Sequence, residues 1–541
     1  MNVKAGRREW VGLAVLALAS LLVSLDVFVM LLALPHLAED LGATGTEQLW
    51  ITDIYGFVLA GFLVTMGTLG DRVGRRRLLL IGAAAFGAAS VVAAYSTSPG
   101  MLIAARALLG LAGATLAPST LALISGMFAD ARQRALAFAI WLAAFMGGAT
   151  LGPIAGGAML EHFWWGSAFL LGVPAMLLLL VLGPMLLPEQ KAVRAARLDP
   201  LSVVLSLAAI LPVVYGLKEI AKSGWQPVPP AALVLGAAVA VVFARRQRRL
   251  ADPLLDLRLF ARRSFSTAVG GMMAATLLMG AMMLFITQHL QLVEGLTPLT
   301  AGLWMLPAVA ANGAGFLVSP LLARRIRPAY LIGGGLLLSI AGLLLLTRVD
   351  TVSGPVTLVA GFALMNLGAG PLVTLSTDLV VGAAPPEKAG SAAAMSQTGG
   401  ELGFALGIAV LGTIGTAVYR SELVLPEGLP ETAANAARDA LVGASVAAGQ
   451  LDGPQAQALL DASRAAFTTG LHTVALIAAA TLTVVAILIA RLLRDVPPSG
   501  CQAGSEQVTG RPQGADVAAE PTGPAGTPEA EAVLTDLGPR G

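Results

Sequence analysis

Three carboxylates and one guanidinium sit where ionisable groups are rare. Asp26, Asp53 and Glu401 each interrupt a long apolar run, and Arg106 interrupts another. A charge at membrane depth is costly, so such a residue is a functional candidate by default. A carboxylate held there has two tolerable states: it takes a proton and is neutral, or it keeps its charge and holds a cation. Proton and cation then exclude each other at one group, which is the chemistry of exchange, not of bond making. Arg106 needs a partner, and Asp26, Asp71 or a main-chain carbonyl are the candidates. No phosphate loop, nucleotide site or metal-ligand constellation accompanies these residues. That excludes an ATP-driven pump within this chain and argues against an enzyme. A proton gradient, with no cofactor and no metal, is the expected energy source. The sole cysteine, Cys501, can build neither a disulfide framework nor a thiolate metal site.

The elements that must carry these groups follow from composition. Of 541 residues, 56% are hydrophobic and 12% charged, against about 25% charged in a soluble protein. Apolar windows bounded by Arg clusters or by Gly, Pro and acidic residues predict fourteen membrane-spanning helices, an all-α integral membrane protein. The run from Trp10 to Pro35 is too long for a signal-peptide core and reads as an uncleaved first span. Asp26 lies roughly 22 Å from the inner end of that span and Asp53 roughly 8 Å from the outer end of the second, at 1.5 Å per residue. In a hydrocarbon core about 30 Å thick the two depths nearly coincide. Both can therefore line one outward-opening cavity, with Tyr55 as another candidate partner for Asp53. Glu401 falls near mid-depth in the thirteenth span.

Charge distribution orients the chain. Lys4, Arg7 and Arg8, the run Arg72 to Arg77, Arg132 and Arg134, the cluster Arg245 to Arg249, Arg324 to Arg327, and Arg491 and Arg494 fall on one side. The other side holds few cations, among them Lys218, Lys222, Arg348, Arg420 and Arg464. The positive-inside rule puts the first set and both termini in the cytoplasm, with bulk lipid as the surrounding partner and no nucleic acid expected.

Two motifs look conformational. Gly67-Thr-Leu-Gly70-Asp71-Arg72-Val-Gly74-Arg75-Arg76-Arg77 joins spans two and three. Its glycines allow close approach, and Asp71 can accept from a facing helix N-terminus or from Arg106 or Arg132. In span five, Gly148, Gly152 and Gly156 recur every four residues beside Pro153 and Gly157. That pattern predicts a smooth face for tight helix contact and a bend, suited to a seal between two halves. Ser319 to Arg327 echoes the Gly67 loop without its Asp, which supports two related halves. The predicted units are a first six-helix bundle at 1–190, two inserted helices at 191–250, and a second bundle at 251–494 with an outer hairpin at 421–466. The tail, 495–541, is too poor in large apolar residues to fold. His289 reads as a satisfied helix-end histidine. Met272, Met273, Met279, Met282 and Met283 read as mostly core, and Trp50, Trp164 and Trp165 as an interfacial belt.

These patterns together resemble the major facilitator superfamily. The Gly67 loop, Arg106 and Gly110 in span four, Gly148 to Gly157 in span five, and Leu25 to Pro35 in span one each resemble a motif of its fourteen-span drug:proton antiporters. The stretches Gln48-Leu-Trp-Ile-Thr-Asp53-Ile-Tyr55 and Lys388-Ala-Gly-Ser-Ala-Ala-Ala resemble those of exporters of quaternary ammonium compounds, dyes and fluoroquinolones. The resemblance implies two six-helix bundles plus two extra central helices. It implies a monomer that exports amphipathic organic cations across a bacterial inner membrane in exchange for protons. It also implies proton or substrate roles for Asp26, Asp53, Glu401 and Arg106. Exporters of divalent drugs carry more acids, where this chain has Asn312, Ser396 and Gln397, and Asp378 reads as interfacial. Export of an endogenous antibiotic, or of neutral or anionic substrates, is the alternative within the family.

Overall fold

A computed structural model describes residues 5–189, 199–223, 226–250, 253, 257–323, 325–351, 354–383 and 389–492. The predicted tail lies outside the described residues, as do the side chains of Arg132 and Asp378. Among the described residues, fourteen helical segments are long and apolar enough to cross a membrane, the number read from the sequence. Helix is the expected answer in lipid, because each backbone N–H and C=O must find its partner within the segment.

The first bundle comprises α1 (Arg7–Leu41), α2 (Gly45–Val73), α3 (Arg75–Ala94), α4 (Pro99–Met127), α5 (Ala131–His162) and a broken sixth span, α6 (Ser167–Leu170) with α7 (Val173–Leu186). Local chemistry sets the turns. Gly42, at φ 63°, closes α1 in the left-handed conformation. Thr44 and Glu47 then start α2 with reciprocal side-chain-to-backbone bonds. Gly74, at φ 116°, makes the sharp corner between α2 and α3 that a side chain would strain.

The inserted pair is α8 (Pro200–Ser223) and α9 (Val228–Arg249), joined near the arginine-rich end by an Arg246–Asp199 ion pair of 2.8 Å. Much of α9 is open to the surroundings; Val234 is 70% exposed, as suits a lipid-facing helix. The second bundle is α10 (Arg263–Gln288), α11 (Pro298–Ala323), α12 (Pro328–Leu346), α13 (Val356–Ala383), α14 (Ala389–Leu406) continuing through a π turn into α15 (Gly412–Glu422), and α18 (Gly453–Leu492). Between the last two lie the short helices α16 (Glu431–Asp439) and α17 (Leu441–Ala448). The small hairpin therefore ends sooner than the predicted 466. Residues from Gly453 onward belong to α18, a single helix of 40 residues. Its polar first turns bury Leu459 against Ala433, Ala437, Ala444 and Ala447, so an alanine-rich patch extends the span instead of folding apart from it.

The two ends of the bundle differ. At the hairpin end the helices pack tightly: α1 is buried from Val29 to Leu34, α2 from Ile51 to Tyr55 and α10 from Ala281 to Ile286. The arginine-rich half of α2 is looser, with Phe62, Val64, Thr65 and Met66 half-buried. The halves touch at the hairpin end, where α5 meets α11 so closely that a Cβ on Gly157 would lie 2.5 Å from Leu299 Cα. A Cβ on Gly302 would strike the Pro153 carbonyl. The Gly45 N–H adds a hydrogen bond to Asp439 of α16, 3.0 Å long. This corrects the expectation of one outward-opening cavity over both aspartates: the halves are in contact at the hairpin end, and the space there, lined by His36, Glu39, Gln291 and Val442, reaches neither Asp26 nor Asp53. Of the span-five motif, Gly157 and Pro153 reach the other half. Gly148 and Gly156 face Leu21 and Val29 of α1 within the same bundle, and Gly152 is buried. Gly157→Val is expected to destabilise the closed end by about 1–3 kcal/mol through overpacking. A lowered thermal-unfolding midpoint checks this, and an unchanged midpoint would mean that the helices do not meet there.

Candidate functional site

The candidate charges gather at mid-depth where α1, α2, α4, α8 and α14 converge. Gly110 and Gly113 let α4 approach α2; a Cβ on Gly110 would lie 2.5 Å from the Tyr55 carbonyl oxygen. That contact sets Arg106 beside α2. Its Nη1 donates to Asp26 Oδ2 at 2.8 Å and its Nε to the Ile51 carbonyl at 3.2 Å. Its guanidinium carbon sits 4.7 Å from the centre of the Tyr55 ring. Of the partners open to Arg106, Asp26 and a carbonyl are both used, and Asp71 is not. An arginine 1% exposed needs this set, because a buried charge short of partners is strongly destabilising.

Asp53 has a partner that sequence reasoning missed. Its Oδ2 is 2.7 Å from Lys218 Nζ, and neither side chain is more than 1% exposed. The ammonium also lies 4.0 Å from the centre of the Trp50 ring. Tyr55 is thus not the partner of Asp53, and Lys218 is not an outer loop charge but a buried cation of α8. The one available signal was its place inside an apolar helix, Pro200–Ser223, in Val214-Tyr-Gly-Leu-Lys218.

Glu401 differs from both. It is partly exposed and accepts a hydrogen bond of 3.2 Å from Gln397 one turn earlier. Among the described residues it has no ion pair. Small residues bring its helix in: Gly403 lies against the Met273 carbonyl of α10, and Ala405 against Gly56 of α2. Glu401 lines two spaces at once. A narrow cleft runs toward the arginine-rich end past Ser20, Leu63, Thr120 and Trp141. A second, smaller space, with room for little more than a water molecule, is bounded by Asp53, Tyr55, Arg106 and Phe404 on the hairpin side. Asp26 lines neither, since Arg106 stands in front of it. The two aspartates do not share one vestibule; Arg106 and Asp53 share a wall of the small inner space with Glu401.

The remaining candidates fall into place. Asp71 is paired with Arg75 at 2.5 Å, within its own loop, and not with Arg106. Arg76 donates to the Leu187 carbonyl at 3.1 Å and its N–H to Glu189 at 3.2 Å, which ties the loop to the end of α7. Gly70 lies against the Arg75 side chain, Gly67 lies near Pro118, and Arg72 is itself engaged in an interaction. Trp165 is not a belt residue: it is buried and donates to Asp40 at 2.7 Å, whereas Trp164 is exposed. His289 is fully buried beside Phe467 with neither ring nitrogen hydrogen-bonded, so the expectation of a satisfied histidine does not hold. Asn312 bonds to Asn366 and Ser396 to Met272, inside the second bundle.

Two helical bundles around a cleft shut at one end, with charges paired at mid-depth, define a membrane carrier and not an enzyme. The chain belongs to the Major Facilitator Superfamily, which it matches over residues 16–408. It is 45% identical over 472 residues to the multidrug efflux pump LfrA of Mycolicibacterium smegmatis, covering 87% of this chain and 94% of the relative. It is 37% identical to the methyl viologen resistance protein SmvA of Salmonella typhimurium, over 87% and 95% of the two chains. It is 32% identical to the tetracenomycin C resistance and export protein of Streptomyces glaucescens, over 91% and 93%. In fold it is similar to an inward-facing, unoccupied bacterial homolog of the human lysosomal transporter Spinster, with a TM-score of 0.66 at 16% identity, covering 91% of this chain and 98% of that one.

Proposed function

We propose that this carrier exports amphipathic organic cations across the bacterial inner membrane in exchange for protons, with Glu401 as the group for which the two compete. One observation supports the reading: Glu401 lines both the cleft that runs toward the arginine-rich end and the inner space beside Asp53, and it has no ion pair among the described residues. In the closed-end state the open cleft brings a cation from the cytoplasm, to which the positive-inside rule assigns the arginine-rich end and both termini. After the halves rock, a proton arriving from outside neutralises Glu401 and releases the cation. Asp26 and Asp53 serve this exchange with their charge held by Arg106 and Lys218 while the cavity is empty. A proton or cation arriving at either loosens its pair. Three carboxylates against two cations leave one uncompensated negative charge, which suits a single positive centre better than two.

The loop around Asp71 acts in the other half of the cycle. With its pair to Arg75 local and only partly buried, Asp71 is available to meet the second bundle when the arginine-rich end closes, and the arginines anchor it at the anionic leaflet. The names of the relatives support drug efflux as the cellular role. Proteoliposomes holding the purified monomer test the reading. An imposed pH gradient is expected to drive uptake of ethidium and tetraphenylphosphonium, and collapsing the gradient to stop it. Transport of neutral analogues alone, indifferent to the gradient, would favour the alternative of a neutral or anionic substrate.

A further inference from the structure

The inserted helices carry a cation into the site. Helix α8 lies along the seam where the two halves meet: Ile210, Leu211 and Val214 pack with Phe57 of α2 and with Ala405 and Ala409 of the α14 segment. From that seam Lys218 reaches Asp53, and its ammonium is held by a carboxylate at 2.7 Å and an aromatic face at 4.0 Å. A carboxylate with an aromatic face is also the pair of groups that recognises an organic cation, by charge and by the ring quadrupole. Asp53 is reached from two sides, from α8 by Lys218 and from the inner space it lines with Glu401.

We infer that Asp53 and Trp50 form a second subsite for an organic cation, which Lys218 occupies as a tethered stand-in until the cargo displaces it. This rests on the cation reading of Glu401 and extends it. The lysine stem is a flexible four-carbon arm ending in a compact charge, so it can withdraw without moving α8 as a whole. The pair keeps Asp53 from facing a dry, empty site as a bare anion, which would be costly. Arriving cargo with a positive centre takes over the carboxylate and the ring, and the freed lysine tells the inserted helices that the site is filled. The apparent affinity for the cargo is then reduced by the fraction of carriers in which Lys218 holds the subsite.

Equilibrium binding of radiolabelled tetraphenylphosphonium to purified protein in nanodiscs tests this without transport. Lys218→Met is expected to bind at least about tenfold more tightly than the wild type, and Lys218→Arg within about threefold of it, if Lys218 masks the subsite in about nine carriers in ten. Should Lys218→Met not fold with its unpaired aspartate, the double variant Asp53→Asn with Lys218→Met leaves no bare charge and still decides. It is expected to bind at least about fivefold more weakly than the wild type, because the carboxylate of the subsite is gone. Binding of the double variant equal to wild type would overturn the inference and make the pair a structural one, as would a Lys218→Met protein that folds and binds no more tightly. Wild-type protein that binds no organic cation at all would instead overturn the proposed function, and this inference with it.

Discussion

Glu401→Gln is expected to abolish pH-gradient-driven export of ethidium, by about two orders of magnitude or more, while the protein still folds and inserts. Gln keeps the shape and a hydrogen-bonding partner for Gln397 but can neither bind a proton nor carry a charge. Glu401 is partly exposed and has no ion pair among the described residues, so removing its charge leaves no orphaned cation and should cost little stability. Loss of transport with an unchanged unfolding midpoint is therefore the expected signature. Transport that persists at the wild-type rate would remove Glu401 from the exchange. Loss of both transport and folding would make it a structural group.

Arg106→Met is expected to act in the opposite manner, through stability first. It strips Asp26 of its partner and leaves a carboxylate that is 8% exposed uncompensated. Breaking one side of a buried pair costs about 3–5 kcal/mol, whereas replacing both partners with apolar groups is often neutral. The double variant Arg106→Met with Asp26→Leu should therefore recover the unfolding midpoint. It should not recover export, because the charge that tracks the cycle is missing from both sites. Thermal unfolding read beside efflux of the same preparations checks this. A double variant that exports normally would reduce the pair to packing.

The parts of this structure that were legible in the sequence are those lipid dictates. The spans are legible because a segment in hydrocarbon must be apolar and must satisfy its own backbone, so length and composition nearly decide. Asp26, Asp53, Glu401 and Arg106 stand out for the same reason, as charges where charges are costly. What each charge touches is less visible. The Arg106–Asp26 pair was one of several possibilities, and only the glycine contacts between α4 and α2 select it. Lys218 was read as a loop charge because it lies near the end of an apolar run, and nothing local says that α8 folds back along α2 to deliver it. The direction in which the cavity opens was likewise illegible. It depends on which end of α5 and α11 is in contact, and the same glycines would serve either state. The Gly453 extension of α18 was hidden by polar, alanine-rich composition that resembles a surface hairpin until its partners in α16 and α17 are seen.

Proton release on cargo binding tests the central claim most directly. Purified protein in weakly buffered nanodiscs, at a pH acidic enough for Glu401 to begin protonated, is titrated with tetraphenylphosphonium while bulk pH is followed. The wild type is expected to release about one proton per cation bound, by linkage between two ligands that share a group. Glu401→Gln is expected to release none from whatever cation it still binds. Equal proton release from both proteins would contradict the account, since the exchanging group would then lie elsewhere.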